Sequence, residues 1–242
     1  MAEEETAVEV EEVKPVRLTL EQKQEEDKRR SIANWNPKTQ IGKDVKSGAE
    51  KSIDNLLSNG RKILEPEIVD SLLVLQSDLL AIGQAKGKFG GGKRRAWKQT
   101  QKKTKEGNVL TFAAMAVVGD KNGHVGLGYG RSKETLPARE KALRKAKLNI
   151  IKIQRGCGHF DCACGEMHTV PFIVEGKCGS VRIKFMPAPQ GTGLVTGDEC
   201  KKILRLAGIK DVYGVSKGQV RTTLNVGKAC MDALAKTTRM TK

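Results

Sequence analysis

The pattern that decides the fold lies in the 33 residues from Phe112 to Arg144, FAAMAVVGDKNGHVGLGYGRSKETLPAREKALR. Its first part, Phe112 to Val118, has the length and composition of a buried strand. Residues 120–123 then favour a hairpin turn, because Asn and Gly tolerate positive φ. We therefore predict a strand, a tight turn, a second strand and a closing helix from about Glu134 to Ile151.

Glycine alternates with larger residues in the second strand, where Gly126, Gly128 and Gly130 interleave with Val125, Leu127 and Tyr129. Alternate residues of a strand share a face, so one face is apolar and the other is almost bare backbone. A bare face lets a flat or charged ligand approach closely. In a chain of net charge +16, this pattern indicates nucleic acid.

Two helices complete the predicted unit. The closing helix carries a stripe of small residues at Ala138, Ala142 and Ala146, with basic residues mostly off that stripe. The other helix is predicted to begin at Pro66, to follow the leucine spacing through Leu72, Leu75 and Leu79, and to end near Gly83. The resulting α-β-β-β-α order is that of a double-stranded-RNA-binding domain, although composition alone does not prove that the unit binds a duplex.

Composition excludes several classes of protein. The chain has 242 residues, with 44 Lys and Arg against 28 Asp and Glu, which suggests one or two domains and an anionic partner. Aromatic residues make up only 4%, which favours contact with phosphate and groove shape over base stacking. No apolar run is long enough for a membrane span, and the acidic N-terminus does not resemble a secretory signal. Six cysteines without such a signal indicate thiols in a reducing cytoplasm.

Changes in composition along the chain predict five segments. We expect an acidic, disordered tail over 1–34, an irregular extension over 35–65, a double-stranded-RNA-binding-like domain over 66–152, a Cys/His loop over 153–168 and an α/β domain over 169–242. In the last of these, strands are predicted over 168–175, 180–187 and 210–213, with a tight turn over 176–179 and helices over 197–207 and 225–237. The linker PAPQGTGL, Pro187 to Leu194, combines stiff prolines with glycines ahead of a helix and favours contact with RNA phosphate.

The most basic segment is Lys86 to Glu106, which has nine bases and one acid. Its triglycine, residues 90–92, lacks the spacing of a phosphate-binding loop and follows no strand. A basic loop or hairpin lying on RNA phosphates is therefore the better interpretation. Trp97 either stacks on a base or anchors the segment in the core, and the sequence leaves both alternatives open.

Four metal-ligand residues occur within twelve positions: Cys157, Cys162, Cys164 and His168. Three thiolates and an imidazole suit tetrahedral zinc, although C-x4-C-x-C-x3-H is not the usual spacing. The alternative is a loop of reduced cysteines that bound RNA alone orders, and His159 is a spare ligand. Both interpretations stay open, whereas Cys178, Cys200 and Cys230 fit buried apolar positions.

Three segments, FAAMAVVGDKNGHVGLGYG, GKCGSVRIKFMPAPQGTGL and ILRLAGIKDVYGVSKG, resemble ribosomal protein five of the small subunit, a universal family whose eukaryotic member is numbered two. The resemblance covers about Trp35 to Leu234, and RGCGHFDCACGEMHTVPF and LEPEIVDSLL are similar to its archaeal branch. It implies α+β architecture: a double-stranded-RNA-binding-like α-β-β-β-α domain followed by an α/β domain with a left-handed βαβ crossover. It also implies contact with small-subunit rRNA beside small-subunit proteins four, eight and three, near the channel through which mRNA enters, and a role in assembly and decoding accuracy.

The resemblance places rRNA contacts on the basic strand, the hairpin turn, the glycine strand and the bases that follow it. These residues are Lys93, Arg94, Arg95, Lys98, Lys102, Lys103, Lys105, Asn122, Gly123, His124, Gly126, Gly128, Arg131 and Lys133. The chain departs from the family pattern at Asn108 and Gln190, where the family commonly has a basic or charged residue, and in its longer triglycine stretch.

Two rival functions differ from a structural rRNA-binding protein. A zinc-dependent base deaminase needs H-x-E paired with P-C-x-x-C, and this chain has neither in that order. A free regulator that binds double-stranded RNA would need neither the second domain nor the PAPQGTGL linker, and it would sediment apart from small-subunit particles. We expect a non-enzymatic constituent of the small subunit.

Overall fold

The fold is described from a computed structural model over residue 30 and residues 32–85, 94–162 and 164–239. The tail over 1–29, the triglycine and Lys93 fall outside the described residues. The chain divides into two units, Met1–Asn36 and Pro37–Lys242. In the first, residues 30, 32 and 33 are helical. The architecture below is that of the second.

Short helices occupy the segment that was predicted to be irregular, so that prediction is wrong. They are α1 (Gln40–Lys46) and α2 (Ile53–Ser58), followed by α3 (Pro66–Leu72). The Thr39 hydroxyl accepts a hydrogen bond from the Gly42 N–H, and the Glu65 carboxylate accepts from the N–H groups of Lys38 and Thr39. These side chains satisfy N–H groups at and just before the start of α1. The Pro and Gly content of the segment does not predict such caps.

The helix that begins at Pro66 is shorter than its leucine spacing predicted. It ends at Leu72, Leu73 is extended, and β1 (Gln76–Leu79) pairs antiparallel with residues 116–119. The Leu80 N–H donates to the Met115 carbonyl, and the Leu80 side chain is fully buried. The leucine run is short enough to fit either a helix or a strand. Its pairing with the apolar strand β3 decides in favour of the strand.

A five-stranded antiparallel sheet forms the first half of the unit. The other strands are β2 (Trp97–Thr104), β3 (Gly107–Gly119), β4 (His124–Ser132) and β5 (Ile150–Lys152), and α4 (Thr135–Leu148) connects β4 to β5. The order is β1-β3-β4-β5, and β2 pairs with the outer part of β3 over residues 107–114. The buried strand and the tight turn are confirmed, since residues 113–118 are buried and Lys121 and Gly123 have φ of 60° and 105°.

Helix α4 covers the glycine face of β4. A Cβ built on Gly126, Gly128 or Gly130 would lie 2.1–2.2 Å from backbone carbonyl oxygens of Ala146, Ala142 or Ala138. The three alanines are fully buried. The bare face exists as predicted, but its occupant is the chain's own helix, so the expectation that nucleic acid approaches this face is wrong.

A four-stranded sheet, β6 (Val174–Cys178), β7 (Val181–Pro187), β8 (Leu194–Val195) and β9 (Val212–Lys217), forms the second half, with α5 (Asp198–Ala207) and α6 (Thr223–Arg239). Its order is β6-β7-β9-β8, and β8, α5 and β9 form a parallel βαβ crossover. The predicted turn at residues 176–179 is misplaced. Gly176 lies within β6, where a Cβ would be 2.1 Å from the Ala229 carbonyl oxygen of α6, and the chain turns at residues 179–180 instead. Similarly, β9 begins two residues later than predicted and β6 six residues later.

One apolar cluster joins the two sheets. It contains Met115 and Val125 of the first sheet, Phe185 of the second, Ile203 of α5 and Leu234 of α6. The Cys/His segment around residues 153–168 thus connects two halves that share a core. The predicted α+β class is confirmed, and among the described residues no helix combines the length and apolar character needed to cross a membrane.

Candidate nucleic-acid surface and Cys/His cluster

Strand β2 and the outer part of β3 form a basic two-stranded ribbon, which we define as residues 97–112. Lys98, Lys102 and Lys103 on β2 and Lys105 in the connecting turn are exposed. The apolar residues Val109 and Leu110 of β3 are also exposed, at 38% and 40%. The outer part of the ribbon is therefore not covered by the core, and its lysines are accessible to a partner.

The bases before and beside the ribbon extend this surface. Arg94 and Arg95 precede β2 and are exposed. Ala113 of β3 pairs with Lys98 on one side and with Arg131 of β4 on the other, so these residues form one row across three strands. Arg131 donates to the Thr111 hydroxyl at 2.8 Å and, like Lys133, remains exposed.

Trp97 stands at the inner end of the ribbon. Its ring is half-buried, and the Arg139 guanidinium of α4 lies 5.2 Å from the ring centroid. This cation–π contact fixes β2 to the helix. The geometry favours the anchoring interpretation of Trp97 over base stacking.

The hairpin turn places only part of its predicted site at the surface. Asn122 is exposed, and its side-chain oxygen accepts a hydrogen bond from Arg155 at 2.8 Å. Gly123 and His124 are buried. The His124 ring bonds Asp120 Oδ2 at 2.6 Å and Asp54 Oδ1 at 2.9 Å. His124 joins α2 to the turn, so both of its ring nitrogens are engaged within the protein and not with rRNA.

Hydrogen bonding keeps the two carboxylates around His124 ionised. Burial raises the pKa of Asp120, but hydrogen bonds from the His124 ring and from the N–H groups of Asn122 and His124 outweigh it, so the pKa lies below 3.8. The pKa of Asp54 is also lowered, because hydrogen bonds from Lys152 and His124 outweigh the effect of burial. Both aspartates stabilise the folded state as carboxylates.

The D120N variant is expected to lower the free energy of unfolding at pH 7 by about 1–3 kcal/mol, because it weakens the bonds that close the turn. The folded-state pKa of Asp120 is depressed, so its contribution is complete above the ordinary value of 3.8 and is lost as the pH falls through the lower folded value. Urea unfolding at pH 7 and pH 3 measures this dependence. The difference between the wild type and D120N should shrink at pH 3, while D198N, at an exposed position, should have little effect at either pH. A difference that persists at pH 3 would contradict this assignment.

The glycine strand contributes no open rRNA-binding surface. Gly126 and Gly128 are buried against α4, and the apolar residues on the opposite face of β4 pack on the shared core. The two glycines were predicted as contacts for close backbone approach. That approach is made by helix α4, so their assignment to the rRNA surface is wrong.

A basic cleft that no sequence pattern predicted lies between the hairpin turn and α5. Five bases and one acid, Glu166, line it, and the bases are Lys121, Arg155, Lys201, Arg205 and Lys210. Arg155 is held by the carbonyls of Lys121 and Gly208, each at 3.3 Å. These bases come from distant parts of the chain, so no run of charge in the sequence marks them.

The predicted metal-ligand residues converge. Cys157, Cys162, Cys164 and His168 each offer one ligand atom, and all four atoms lie within 4.8 Å of one another. The Sγ atoms of Cys162 and Cys164 are 3.2 Å apart, those of Cys164 and Cys157 are 3.6 Å apart, and His168 Nε2 is 3.5 Å from Cys162 Sγ. His159 lies outside this group and accepts a hydrogen bond from the Asp161 N–H.

The environment of the cluster favours a thiolate at its centre. The backbone N–H of Cys164, together with its thiol and the backbone N–H of Gln190, lowers the pKa of Cys162 to about 6. The side chain of Cys162 in turn raises the pKa of Cys157 to about 11. Asp211 was not predicted from the sequence. Its Oδ2 lies 2.8 Å from His168 Nδ1, and both side chains are buried.

Comparison with known proteins decides the family. The family model described as ribosomal protein S5, N-terminal domain, matches residues 96–154, and the one described as ribosomal protein S5, C-terminal domain, matches residues 176–242. Small ribosomal subunit protein uS5 of Nanoarchaeum equitans is 51% identical over 207 residues, which cover 85% of this chain and 89% of the relative. The chain belongs to the ribosomal protein S5 family. The uS5 proteins of Methanoregula boonei and Thermofilum pendens are each 45% identical, over 85% and 84% of this chain and 93% and 94% of the relatives.

The two S5 models cover different parts of the fold and leave the Cys/His cluster outside both. The N-terminal S5 model spans the ribbon, the hairpin turn and α4, and the C-terminal S5 model spans α5, α6 and most of the second sheet. Residues 155–175, which contain the Cys/His cluster, lie between the two matched regions. Neither S5 model covers the cluster, so only its own geometry bears on metal binding.

Proposed function

We propose that this S5 chain is a structural, non-enzymatic constituent of the small ribosomal subunit and binds rRNA in the cytoplasm. The observation that carries the proposal is the basic ribbon, which extends exposed lysines beyond the core. The names of the archaeal relatives, small ribosomal subunit protein uS5, support it.

The ribbon carries bases on both of its faces. Residues of a strand alternate between faces, so Lys98 and Lys102 lie on one side and Lys103 lies on the other, while Lys105 stands in the turn at the tip. A ribbon of this kind is able to neutralise phosphates of two neighbouring rRNA segments at once and to release their counterions. This arrangement favours a role in holding rRNA helices together during assembly.

Finer features of the proposal follow the family resemblance. The series α3-β2-β3-β4-α4, into which the structure inserts the short strand β1 after α3, is proposed to correspond to a double-stranded-RNA-binding-like unit, and the β8-α5-β9 crossover to the left-handed βαβ unit. Their order along the chain supports both assignments.

The second half is proposed to contact small-subunit proteins four, eight and three, and to face mRNA where it enters the subunit, with an influence on decoding accuracy. The outward face of the second sheet supports a binding role. It presents Lys177, Arg182 and Lys217 in one row across three strands, and Val215 is exposed beside them. The basic cleft around Arg155 and Arg205 supports contact with a nucleic-acid strand.

Reversing the charge of Arg94, Arg95 and Lys98 to Glu tests the proposal. We expect at least about a tenfold lower incorporation into small subunits, because three phosphate contacts become repulsive. Tagged chains are expressed in cells, assembled particles are isolated by sedimentation and affinity capture, and the tagged fraction is quantified.

The control carries an equal change of net charge in the helical extension, with Lys43, Arg61 and Lys62 changed to Glu, all three being exposed. It should incorporate nearly as well as the wild type. Equal incorporation of both variants and the wild type would refute the role of the basic surface that Lys98 of the ribbon forms with Arg94 and Arg95 before it. A wild-type chain that stays in the free pool would favour the double-stranded-RNA-binding regulator instead.

A further inference from the structure

We propose that Cys157, Cys162, Cys164 and His168 bind one structural zinc ion, and that this ion fixes the loop over residues 188–193 through an outer shell of Gln190, Asp211 and Gly193. The site lies between the two matched S5 regions. It does not depend on the proposed function.

The spacing of the ligand atoms fits a tetrahedral ion. With Zn–S of about 2.3 Å and Zn–N of about 2.0–2.1 Å, two sulfurs on a tetrahedral ion lie about 3.8 Å apart, and a sulfur and the nitrogen lie about 3.5 Å apart. His168 Nε2 and Cys162 Sγ are 3.5 Å apart, and the Sγ atoms of Cys157 and Cys164 are 3.6 Å apart. The Sγ atoms of Cys162 and Cys164, at 3.2 Å, would separate by about 0.5 Å around a bound ion. All six cysteines of the chain are free thiols, so no disulfide accounts for the close approach of these sulfurs.

The orientation of His168 also fits a metal ligand. Its Nδ1 donates to Asp211 Oδ2 at 2.8 Å, which leaves the lone pair of Nε2 directed at the sulfurs, 3.5 Å from Cys162 Sγ. The His168 side chain is 1% exposed and Asp211 is 4% exposed. A carboxylate that fixes the imidazole in this way is the usual outer partner of zinc-bound histidine.

The Cys/His segment lacks the apolar burial that would order it without a metal. From Gln154 to Met167, none of the described residues is buried, and Phe160 is fully exposed. Two backbone hydrogen bonds between Gly156 and Thr169 close the segment at its base. A structural zinc ion would supply the missing folding energy.

The outer shell connects the cluster to the PAPQGTGL linker at two points. The Gln190 backbone N–H interacts with Cys162 Sγ. The Gly193 N–H donates to Asp211 Oδ1 at 2.7 Å, while the other oxygen of Asp211 holds His168. Zinc that holds Cys162 and His168 in place therefore also holds the loop at Gln190 and Gly193.

Metal analysis of the purified full-length chain tests the site. We expect one zinc per chain in the wild type and its loss in H168A and in C162S/C164S. The matched controls are H159A and C178S, whose side chains lie outside the cluster, and both should retain the ion. The outer-shell variant D211N should bind zinc about 10- to 100-fold more weakly.

Cobalt titration of the wild type needs no substitution, so it tests the site even if a cysteine variant does not fold. Tetrahedral thiolate-bound cobalt absorbs intensely in the visible region, and zinc should displace it at one equivalent. A folded chain that binds neither metal, or an H159A variant that loses zinc as H168A does, would overturn the assigned ligand set.

Hydrogen exchange tests the effect on the loop. After removal of the metal by a chelator, exchange of the Gln190 and Gly193 amides should increase at least tenfold, whereas amides within α4 should be unchanged. Unchanged exchange over residues 188–193 would refute the effect on the loop, even with zinc bound.

Discussion

A chain with Ala in place of Gly128 is expected to lose at least about 3 kcal/mol of its free energy of unfolding, at the upper end of the range for overpacked cores. The added Cβ would lie 2.1 Å from the Ala142 carbonyl oxygen and 2.2 Å from the Ala146 nitrogen. Both are backbone atoms of α4, so no rotation of a side chain relieves the contact. The helix must move away from the sheet and lose contact along its whole alanine stripe.

Thermal unfolding measures this effect. For a domain of this size, about 3 kcal/mol corresponds to a melting temperature lower by roughly 6–12 °C. The control is G197A, because Gly197 has φ of −64° and a Cβ there meets no atom within 4 Å. It should lose no more than about 1 kcal/mol, the usual cost of Ala at the N-cap of a helix. A G128A chain as stable as G197A would mean that α4 does not lie on β4 as described.

The glycine strand had one feature that the sequence predicted correctly, its bare face, and one that it did not, the occupant of that face. Alternation of Gly126, Gly128 and Gly130 correctly predicts a face without side chains. The occupant of that face follows only when the strand is considered with the stripe of Ala138, Ala142 and Ala146, since helix and strand approach this closely only if both surfaces are small. The high net charge favoured nucleic acid because it describes the whole chain, whereas the occupant is decided locally.

Short elements were predicted less well than long ones, for a physical reason. The 14 residues of α4 were located by periodicity, and the apolar run Phe112 to Val118 located the inner seven of the 13 residues of β3. In contrast, α1 has seven residues and depends on the caps at Thr39 and Glu65, and β1 has four residues and depends on its pairing with β3. Interactions of this kind join residues far apart in sequence, so they leave no local pattern.

The Cys/His ligands could be predicted together because they are close in sequence, whereas the outer partner of the cluster and the basic cleft could not. Cys157, Cys162, Cys164 and His168 lie within twelve residues, so the sequence predicted that they belong together. Asp211 lies 43 residues beyond His168 and contacts it only because the fold brings the two segments together. Arg155 and Arg205 likewise meet only through packing of the hairpin turn against α5.

Replacing the four ribbon lysines, Lys98, Lys102, Lys103 and Lys105, by Gln is expected to weaken binding to archaeal small-subunit rRNA about 1000-fold at 0.1 M monovalent salt. The slope of log K against log salt is negative, and each lost phosphate contact reduces its magnitude by about 0.7–0.9. The loss of four contacts therefore reduces the magnitude of the slope by about 3. Because the loss arises from counterion release, it should shrink as salt rises and nearly vanish at about 1 M. Filter binding across a salt series measures the affinity and the slope together.

The salt slope distinguishes direct phosphate contact from a general effect of charge or folding. The control replaces Lys38, Lys43, Lys51 and Lys62 by Gln, which removes the same charge from exposed positions outside the ribbon. If the ribbon binds phosphates, the control keeps nearly the wild-type slope, since screening leaves distant charges with little effect. Equal losses of slope in both variants would mean that binding follows net charge and not the ribbon. A ribbon variant with lower affinity but an unchanged slope would mean that the lysines support the fold of the ribbon and do not contact phosphate.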